Sequence, residues 1–302
     1  MSDSDSAPAP VIPSAPGPST PLIASYTYHS ALPTASGPYM LGVDEAGRGP
    51  VLGPLVYGVA YCPVSYTDDL ENLGFADSKT LTAETRSSLL DTLSSDPANL
   101  GWSVRVISPK AISDGMLRRP PTNLNAQSRD ATFLLIQEVL DKGIELSEVF
   151  VDALGTTTTY QAELSSRFPG INFTVESKAD DKFKIVGAAS VAAKVTRDAC
   201  IEGWVFEETS GKWEAELASG YPSDPKTKAW LRESLEPVFG FPGIVRFSWS
   251  TVKVLLEKEG KAVNWIDDGQ ASLIAAFENA KGREKDRCAV AKDLGLKSVA
   301  IL

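Results

Sequence analysis

Asp44 and Glu45 stand side by side at the end of an apolar run, Leu41-Gly42-Val43, directly before a Gly47-Arg48-Gly49-Pro50 turn. Carboxylates at a strand end are good ligands for hard cations such as Mg²⁺. A glycine-rich turn lets backbone N–H groups approach a phosphate or a sugar closely. Together they point to metal-assisted chemistry on a phosphate backbone. Two more acids stand at predicted strand ends: Asp152 ends Val149-Phe150-Val151, and Asp180 follows Val175-Glu176-Ser177-Lys178-Ala179. Acids from neighbouring strand ends can share a pocket, where divalent metals relieve their repulsion. Successive residues of a strand face opposite sides, so Asp44 and Glu45 share a pocket only if the strand ends or bulges at Glu45. Asp181 beside Asp180 leaves open, on local grounds, which of the two points inward. Taken alone, Asp152 reads first as a turn residue or helix cap. Lys178, Lys182, Lys184, Lys194 and Arg197 read first as solvated charges, although Lys194 and Arg197 share a helix face.

Other chemistries fit less well. Gly47, Gly49 and Gly53 approach a dinucleotide-binding fingerprint with one residue too many. That fingerprint must open a helix, whereas Pro50 and Pro54 interrupt this turn and Leu55–Cys62 reads as a strand. His29, the single histidine, falls in a Pro/Ser/Ala-rich leader. A Ser-His-Asp or Cys-His mechanism therefore lacks a base, and carboxylates with metal must do the work. Cys62, Cys200 and Cys288 are far apart and odd in number, which suggests a reducing compartment. No Cys/His spacing resembles a zinc site. The net charge of −10 argues against a broad basic surface but leaves room for a local groove. No apolar run spans a bilayer, so no membrane partner is expected, and no signal or transit pattern is present.

The elements that must position these acids follow from periodicity. Residues 1–36 are predicted as a disordered leader. Strands are predicted at Tyr39–Glu45, Leu55–Cys62, Gly101–Ile107, Glu148–Leu154 and Ile171–Glu176. Helices are predicted at Thr82–Leu93, Asn125–Lys142, Val186–Glu207, Asp224–Leu235 and Thr251–Glu259. Thr82 is a plausible cap, and Gly143 suits a helix end. Gly187-Ala188-Ala189-Ser190 carries small residues that permit close packing on a sheet. The order predicts an α/β fold, a mixed sheet flanked by helices, over residues 37–247. Residues 248–302 are expected to form a C-terminal helical extension and tail.

Five segments, in order, carry a family resemblance. They are Val43-Asp44-Glu45-Ala46-Gly47-Arg48-Gly49-Pro50, Asp77-Ser78-Lys79, Val151-Asp152, Lys178-Ala179-Asp180, and Ala188-Ala189-Ser190 with Lys194 and Arg197-Asp198. The chain resembles type 2 ribonuclease H, the ribonuclease HII family. Gly220-Tyr221-Pro222 looks like the family's tyrosine segment. Phe247-Ser248-Trp249-Ser250-Thr251 resembles the large catalytic subunits of eukaryotic members, and the match runs from about Tyr39 to Trp265.

The resemblance implies a ribonuclease H-like fold and cleavage of RNA in RNA/DNA hybrids. It also implies cutting on the 5′ side of single ribonucleotides embedded in duplex DNA, leaving 5′-phosphate and 3′-hydroxyl. By position, Asp44, Glu45, Asp152 and Asp180 would be catalytic acids binding two Mg²⁺ or Mn²⁺. Gly47, Arg48 and Gly49 would read the 2′-OH, the group that separates RNA from DNA. Tyr221 would stack on the neighbouring deoxyribose, and Lys79 and Lys194 would contact substrate. Two smaller non-catalytic subunits are implied as partners in a heterotrimer, as is nuclear work with a possible cytoplasmic share. Two departures stand out: Asp181-Lys182-Phe183-Lys184-Ile185 replaces a commoner aromatic-proline stretch, and Gly187 stands where serine is usual. The alternative class is a non-catalytic nucleic-acid-binding protein of the same fold, which a missing acid would favour; all four are present.

Overall fold

The computed structural model of the protein describes residues 12–153, 155–208, 213, 217–262 and 294. Six strands form one sheet: β1 (Tyr26–His29), β2 (Tyr39–Ala46), β3 (Leu55–Pro63), β4 (Gly101–Ile107), β5 (Leu146–Asp152) and β6 (Asn172–Glu176). Their order is β1-β4-β3-β2-β5-β6. The β1, β4, β3 and β2 neighbours pair antiparallel, while β5 and β6 run parallel to β2. This is the mixed sheet that the sequence predicts.

Nine α-helices surround it among the described residues: α1 (Thr67–Asn72), α2 (Ala83–Ser95), α3 (Pro109–Leu117), α4 (Leu124–Asp141), α5 (Thr157–Arg167), α6 (Ala179–Lys182), α7 (Lys184–Glu202), α8 (Pro225–Ser234) and α9 (Ser250–Glu259). Local chemistry sets their ends. Thr82 Oγ1 accepts from the Thr85 amide at 3.2 Å, the predicted cap of α2. Asp224 accepts from Lys226 N at 2.9 Å with Pro225 at the first helical position of α8. Gly143, at φ +88°, closes α4 with a bond from its N–H to Leu140 O.

Strand alternation divides the core. One face (Met40, Val56, Ala60, Trp102, Val104) packs on α2 and α7 through Leu89, Leu93, Ala188, Ala189 and Ala192. The other (Leu41, Val43, Val59, Val149, Val151) packs on α3, α4 and α5 through Ile112, Leu135, Ile136 and Leu164. α7 lies unusually close to the sheet. A Cβ on Gly42 would meet Ile185 O at 2.3 Å, and one on Gly58 would meet Ala189 O at 2.5 Å. The small residues at the start of α7 are what this approach requires. Gly187 fits the same logic, since a Cβ there would crowd Ala76 N at 3.1 Å. A third cluster joins Val51 and Leu52 to α8 and α9 through Trp230, Leu231, Val252 and Leu255. α9 lies past the boundary expected at 247, yet it packs on residues before that boundary. Apart from Leu294, the tail after Trp265, with Cys288 and the closing Gly295-Leu296-Lys297-Ser298, lies outside the described residues, as does Leu154.

The leader expectation is corrected for residues 12–36. β1 pairs with β4 from Tyr26↔Val106 to His29↔Ser103. Ser14 is buried, with its hydroxyl 2.6 Å from Thr196 Oγ1 on α7, and Tyr26 donates to Ser14 O at 2.6 Å. Ile12, Leu22, Tyr26 and Tyr28 pack on the α7 side of the core. The averaged Pro/Ser/Ala composition hid a few well-placed apolar residues. The outer edge of β4 offers the unpaired strand groups that fix them. His29 is likewise held, between Ser103 Oγ at 2.8 Å and Glu138 Oε2 at 3.2 Å, at the sheet edge farthest in strand order from the acids. Deleting residues 1–30 should therefore destabilise the protein by about 3–5 kcal/mol, read as a lowered urea midpoint; an unchanged midpoint would show the strap to be dispensable.

Candidate active site

The site forms where β2 and β5 part. Pairing between them ends at Val43↔Val151. β2 itself runs on, unbroken against β3 through Asp44↔Gly58, Glu45↔Tyr57 and Ala46↔Val56. The strand neither ends nor bulges at Glu45, which corrects the sequence expectation. Asp44 and Glu45 keep opposite faces and instead flank the gap that β5 leaves.

Asp44 is 2% exposed and lies on the α7 face, where Ser190 is its hydroxyl neighbour. Its Oδ1 accepts from Glu45 N at 2.6 Å, and its Oδ2 is buried without a donor. Burial, and next the Glu45 charge, raises its pKa well above the carboxylate range. Glu45 lines a cavity of about 270 Å³ on the α4 face with Arg48, Tyr57, Asn125, Ser128 and Asp152. Burial lifts its pKa to about 7, against the pull of the Arg48 guanidinium.

Asp152, the last residue of β5, accepts from Ala179 N at 2.8 Å. That bond ties β5 to the turn carrying Asp180. The turn needs Lys178 at φ +57°, the one left-handed non-glycine among the described residues. Such a conformation costs about 1–3 kcal/mol and gathers at functional sites. It sends Asp180 inward, 4% exposed, and Asp181 outward. Asp180 Oδ2 is buried without a hydrogen-bond donor. Burial, with Asp152 and Asp77 nearby, raises the Asp180 pKa. The Asp181–Ile185 stretch thus ends α6 and opens α7, with the Phe183 ring tilted against Phe150 at 4.5 Å between ring centres.

The glycine turn is held from inside. Arg246 is fully buried. It donates to Gly47 O at 2.6 Å, Arg48 O at 3.1 Å and Gly53 O at 2.8 Å. Trp249 Nε1 donates to Gly49 O at 3.1 Å, and the Arg246 guanidinium lies over its ring. Burial, then the Arg197 charge, lowers the Arg246 pKa, but a guanidinium stays charged at neutral pH. Gly47 has φ +82°, and a Cβ there would meet Pro54 O at 2.7 Å. A Cβ on Gly49 would lie 3.2 Å from the ring of Tyr221, which is half-exposed. Arg48 reaches across to α4, donating to Ser128 Oγ and Asn125 Oδ1.

The predicted residues thus separate into groups. Asp44, Glu45 and Asp180 all lie near Asp152, with the Gly47-Arg48-Gly49 turn directly after Glu45 and Tyr221 against Gly49. Lys79 joins them, with Nζ 3.8 Å from Asp180 Oδ2. Lys194 does not: its ammonium is taken by Asp198 at 2.6 Å, beside Arg197 and Arg86. Arg246 is a turn-anchoring residue that motif reading passes over, and Trp249, visible in the sequence only within a family segment, anchors the turn beside it. The signal for the first is a lone arginine inside the apolar run Ile244-Val245-Arg246-Phe247.

No three acidic, His or Cys side chains among the described residues are already drawn into a metal cage. The donor set still fits a hard cation. Asp44 and Asp180 each keep a buried oxygen with no hydrogen-bond donor, and both lie near Asp152, which lines the cavity with Glu45.

A mixed sheet with acids clustered at its parted strand ends defines a nuclease of the ribonuclease H-like class. Over residues 41–252 the chain matches Ribonuclease HII. It is 52% identical over 245 residues to the ribonuclease H2 chain of Rattus norvegicus designated A, covering 81% of this chain and 79% of that one. The corresponding chain of Arabidopsis thaliana is 46% identical over 264 residues, 87% of this chain and 86% of its own. The structure is similar to ribonuclease H2 from Pyrococcus horikoshii OT3, with TM-score 0.59, 34% identity and coverage of 72% of this chain and 97% of that one. A more distant Bst-RNase HIII, solved in complex with Mn²⁺, shares the fold at TM-score 0.53 and 15% identity, over 76% of this chain and 70% of its own. The chain belongs to the ribonuclease HII family and is a ribonuclease H.

Two variants check this geometry. Arg246→Met strands three carbonyls, each worth about 1–3 kcal/mol, so it should lower the urea midpoint and activity together, with Arg246→Lys intermediate. Asp44→Asn removes a buried, unpartnered charge. It should raise the melting temperature of the metal-free protein while abolishing cleavage; a lowered melting temperature would contradict the burial argument.

Proposed function

We propose that this ribonuclease H cuts the RNA strand of RNA/DNA hybrids and the 5′ side of single ribonucleotides in duplex DNA, leaving 5′-phosphate and 3′-hydroxyl. The observation that carries the reading is the juxtaposition of four acids with a glycine turn whose carbonyls are all held inward. With those carbonyls occupied, the turn's N–H groups are the ones left for a substrate. Gly47, Arg48 and Gly49 meet the ribose 2′-OH and its phosphate, and any side chain at Gly49 would displace Tyr221. Tyr221 stacks on the following sugar, where a second 2′-OH would crowd the ring.

Asp44, Glu45, Asp152 and Asp180 hold two Mg²⁺ or Mn²⁺. The Mn²⁺ complex of the ribonuclease HIII neighbour supports such use. When bound, such a pair supplies the charge that lowers the pKa of an attacking water and stabilises the leaving 3′-oxygen. Asp152 also fixes the Asp180 turn through Ala179 N. The relatives are named as one subunit of ribonuclease H2, and we infer a heterotrimer with two smaller non-catalytic subunits and a nuclear site of work.

The test is a duplex DNA carrying one ribonucleotide, incubated with Mg²⁺ or with EDTA. Cleavage at the ribonucleotide with Mg²⁺ alone is expected, and loss in Asp152→Asn. Asp180→Ala should lose far more activity than Asp181→Ala. Tyr221→Ala should cut the single-ribonucleotide duplex at least about tenfold more slowly, the scale of one lost stacking contact. Unchanged turnover by Tyr221→Ala would remove the stacking role.

A further inference from the structure

Lys79 is the one cation that the structure places in direct contact with the acid cluster, among the described residues, and its setting differs from that of the other basic residues near the site. Its side chain is 69% exposed, yet Nζ lies 3.8 Å from Asp180 Oδ2 and 3.9 Å from Asp77 Oδ1. Its backbone is fixed. The turn Ser78–Thr80 is capped by Asp77, which accepts from Lys79 N at 2.8 Å. Ser78 Oγ lies 2.8 Å from Ser190 Oγ, and both hydroxyls are buried. Ser190 is also the hydroxyl neighbour of Asp44. A rigid base thus carries a long, mobile ammonium to the rim of the cluster. Four other cations close to the site are occupied elsewhere: Arg48 by Ser128 and Asn125, Lys182 by Glu176, and Lys194 and Arg197 by Asp198.

We propose that Lys79 is a built-in counter-ion of the metal-free acid cluster, displaced from Asp180 when divalent cations bind. The inference rests on the reading of the four acids as metal ligands. Carboxylates gathered near Asp152 repel each other, and Asp44 and Asp180 have no donor for one oxygen each. A tethered ammonium offsets part of that repulsion without filling the space. A divalent ion brings twice the charge and direct coordination, so it wins the competition at Asp180. The ammonium then needs only rotation about its side-chain bonds to leave. Lys79 is accordingly a positioning residue: it keeps the metal-free site from springing apart and sets the cation concentration at which the site fills.

The experiment is calorimetric titration of Mn²⁺ into the full chain without substrate, with thermal melts alongside. Lys79→Met should bind Mn²⁺ roughly fivefold tighter, the scale of one exposed ion pair removed from the metal-free side. It should also melt lower than the parent without metal and show a larger Mn²⁺-induced rise. Lys79→Arg should keep the parent affinity. Lys182→Met, which removes an equal charge from a lysine paired to Glu176, should also keep it. Parent-like affinity in Lys79→Met, or equal tightening in Lys182→Met, would overturn the counter-ion role while leaving the metal site standing. Failure of the parent to bind Mn²⁺, with no difference from Asp44→Asn, would instead overturn the metal reading and this inference with it.

Discussion

Everything near the site follows from one constraint: several carboxylates must be held close together in a place with little water. Asp44 lies under α7, and its charged form is opposed by burial and by Glu45. Placing it there requires a helix pressed directly onto the sheet, which the bare backbones at Gly42 and Gly58 allow. The same helix carries Ser190 to Asp44 and to Ser78, so the packing that buries the charge also supplies its neighbours. The repulsion is relieved only in part within the protein, by Lys79 at Asp180, and two carboxylate oxygens of the cluster have no hydrogen-bond donor. An enzyme can tolerate that when the missing partner arrives with the reaction.

The second organising element is Arg246. A buried guanidinium is normally costly, and three carbonyls converging on it offset that cost. In return it fixes a turn rich in glycine, which would otherwise be mobile. The C-terminal helices therefore matter to the site. α8 and α9 build the cluster against which Val51, Leu52 and Val245 pack, and Trp249 adds a further donor to the turn. The strap before β2 acts from the other side. Ser14 and Tyr26 hold α7 near Thr196 and Cys200, on either side of Arg197, whose side chain lies 3.2 Å from where a Cβ on Gly47 would stand.

Much was legible in the sequence because it depends on local rules. Alternation and β-branched runs marked the strands. Thr82, Asp224-Pro225 and Gly143 marked helix ends through hydrogen-bonding chemistry that acts within four residues. Asp44, Glu45 and Asp152 were visible as charges at the ends of apolar runs, with Asp180 picked out by the family match, and small residues in Gly187-Ala188-Ala189 announced close helix packing. The family's motifs, in order, carried the rest, and the likeness to known ribonucleases bears that family out.

What only the tertiary structure decided were relations between distant segments. Whether Asp180 or Asp181 turns inward depends on the left-handed Lys178 and on the Asp152 bond to Ala179, 27 residues apart in sequence. Asp44 and Glu45 flank one gap because β5 leaves β2 after Val43, not because β2 bends. Arg246 donates to the glycine turn from a position 199 residues beyond Gly47, and Lys194 turns to Asp198 through a pairing that motif position does not reveal. Residues 26–29 become a strand because β4 has a free edge. A single sequence encodes propensity and pattern, which are short-range. The placement of charges is set by which surfaces the packed chain brings together.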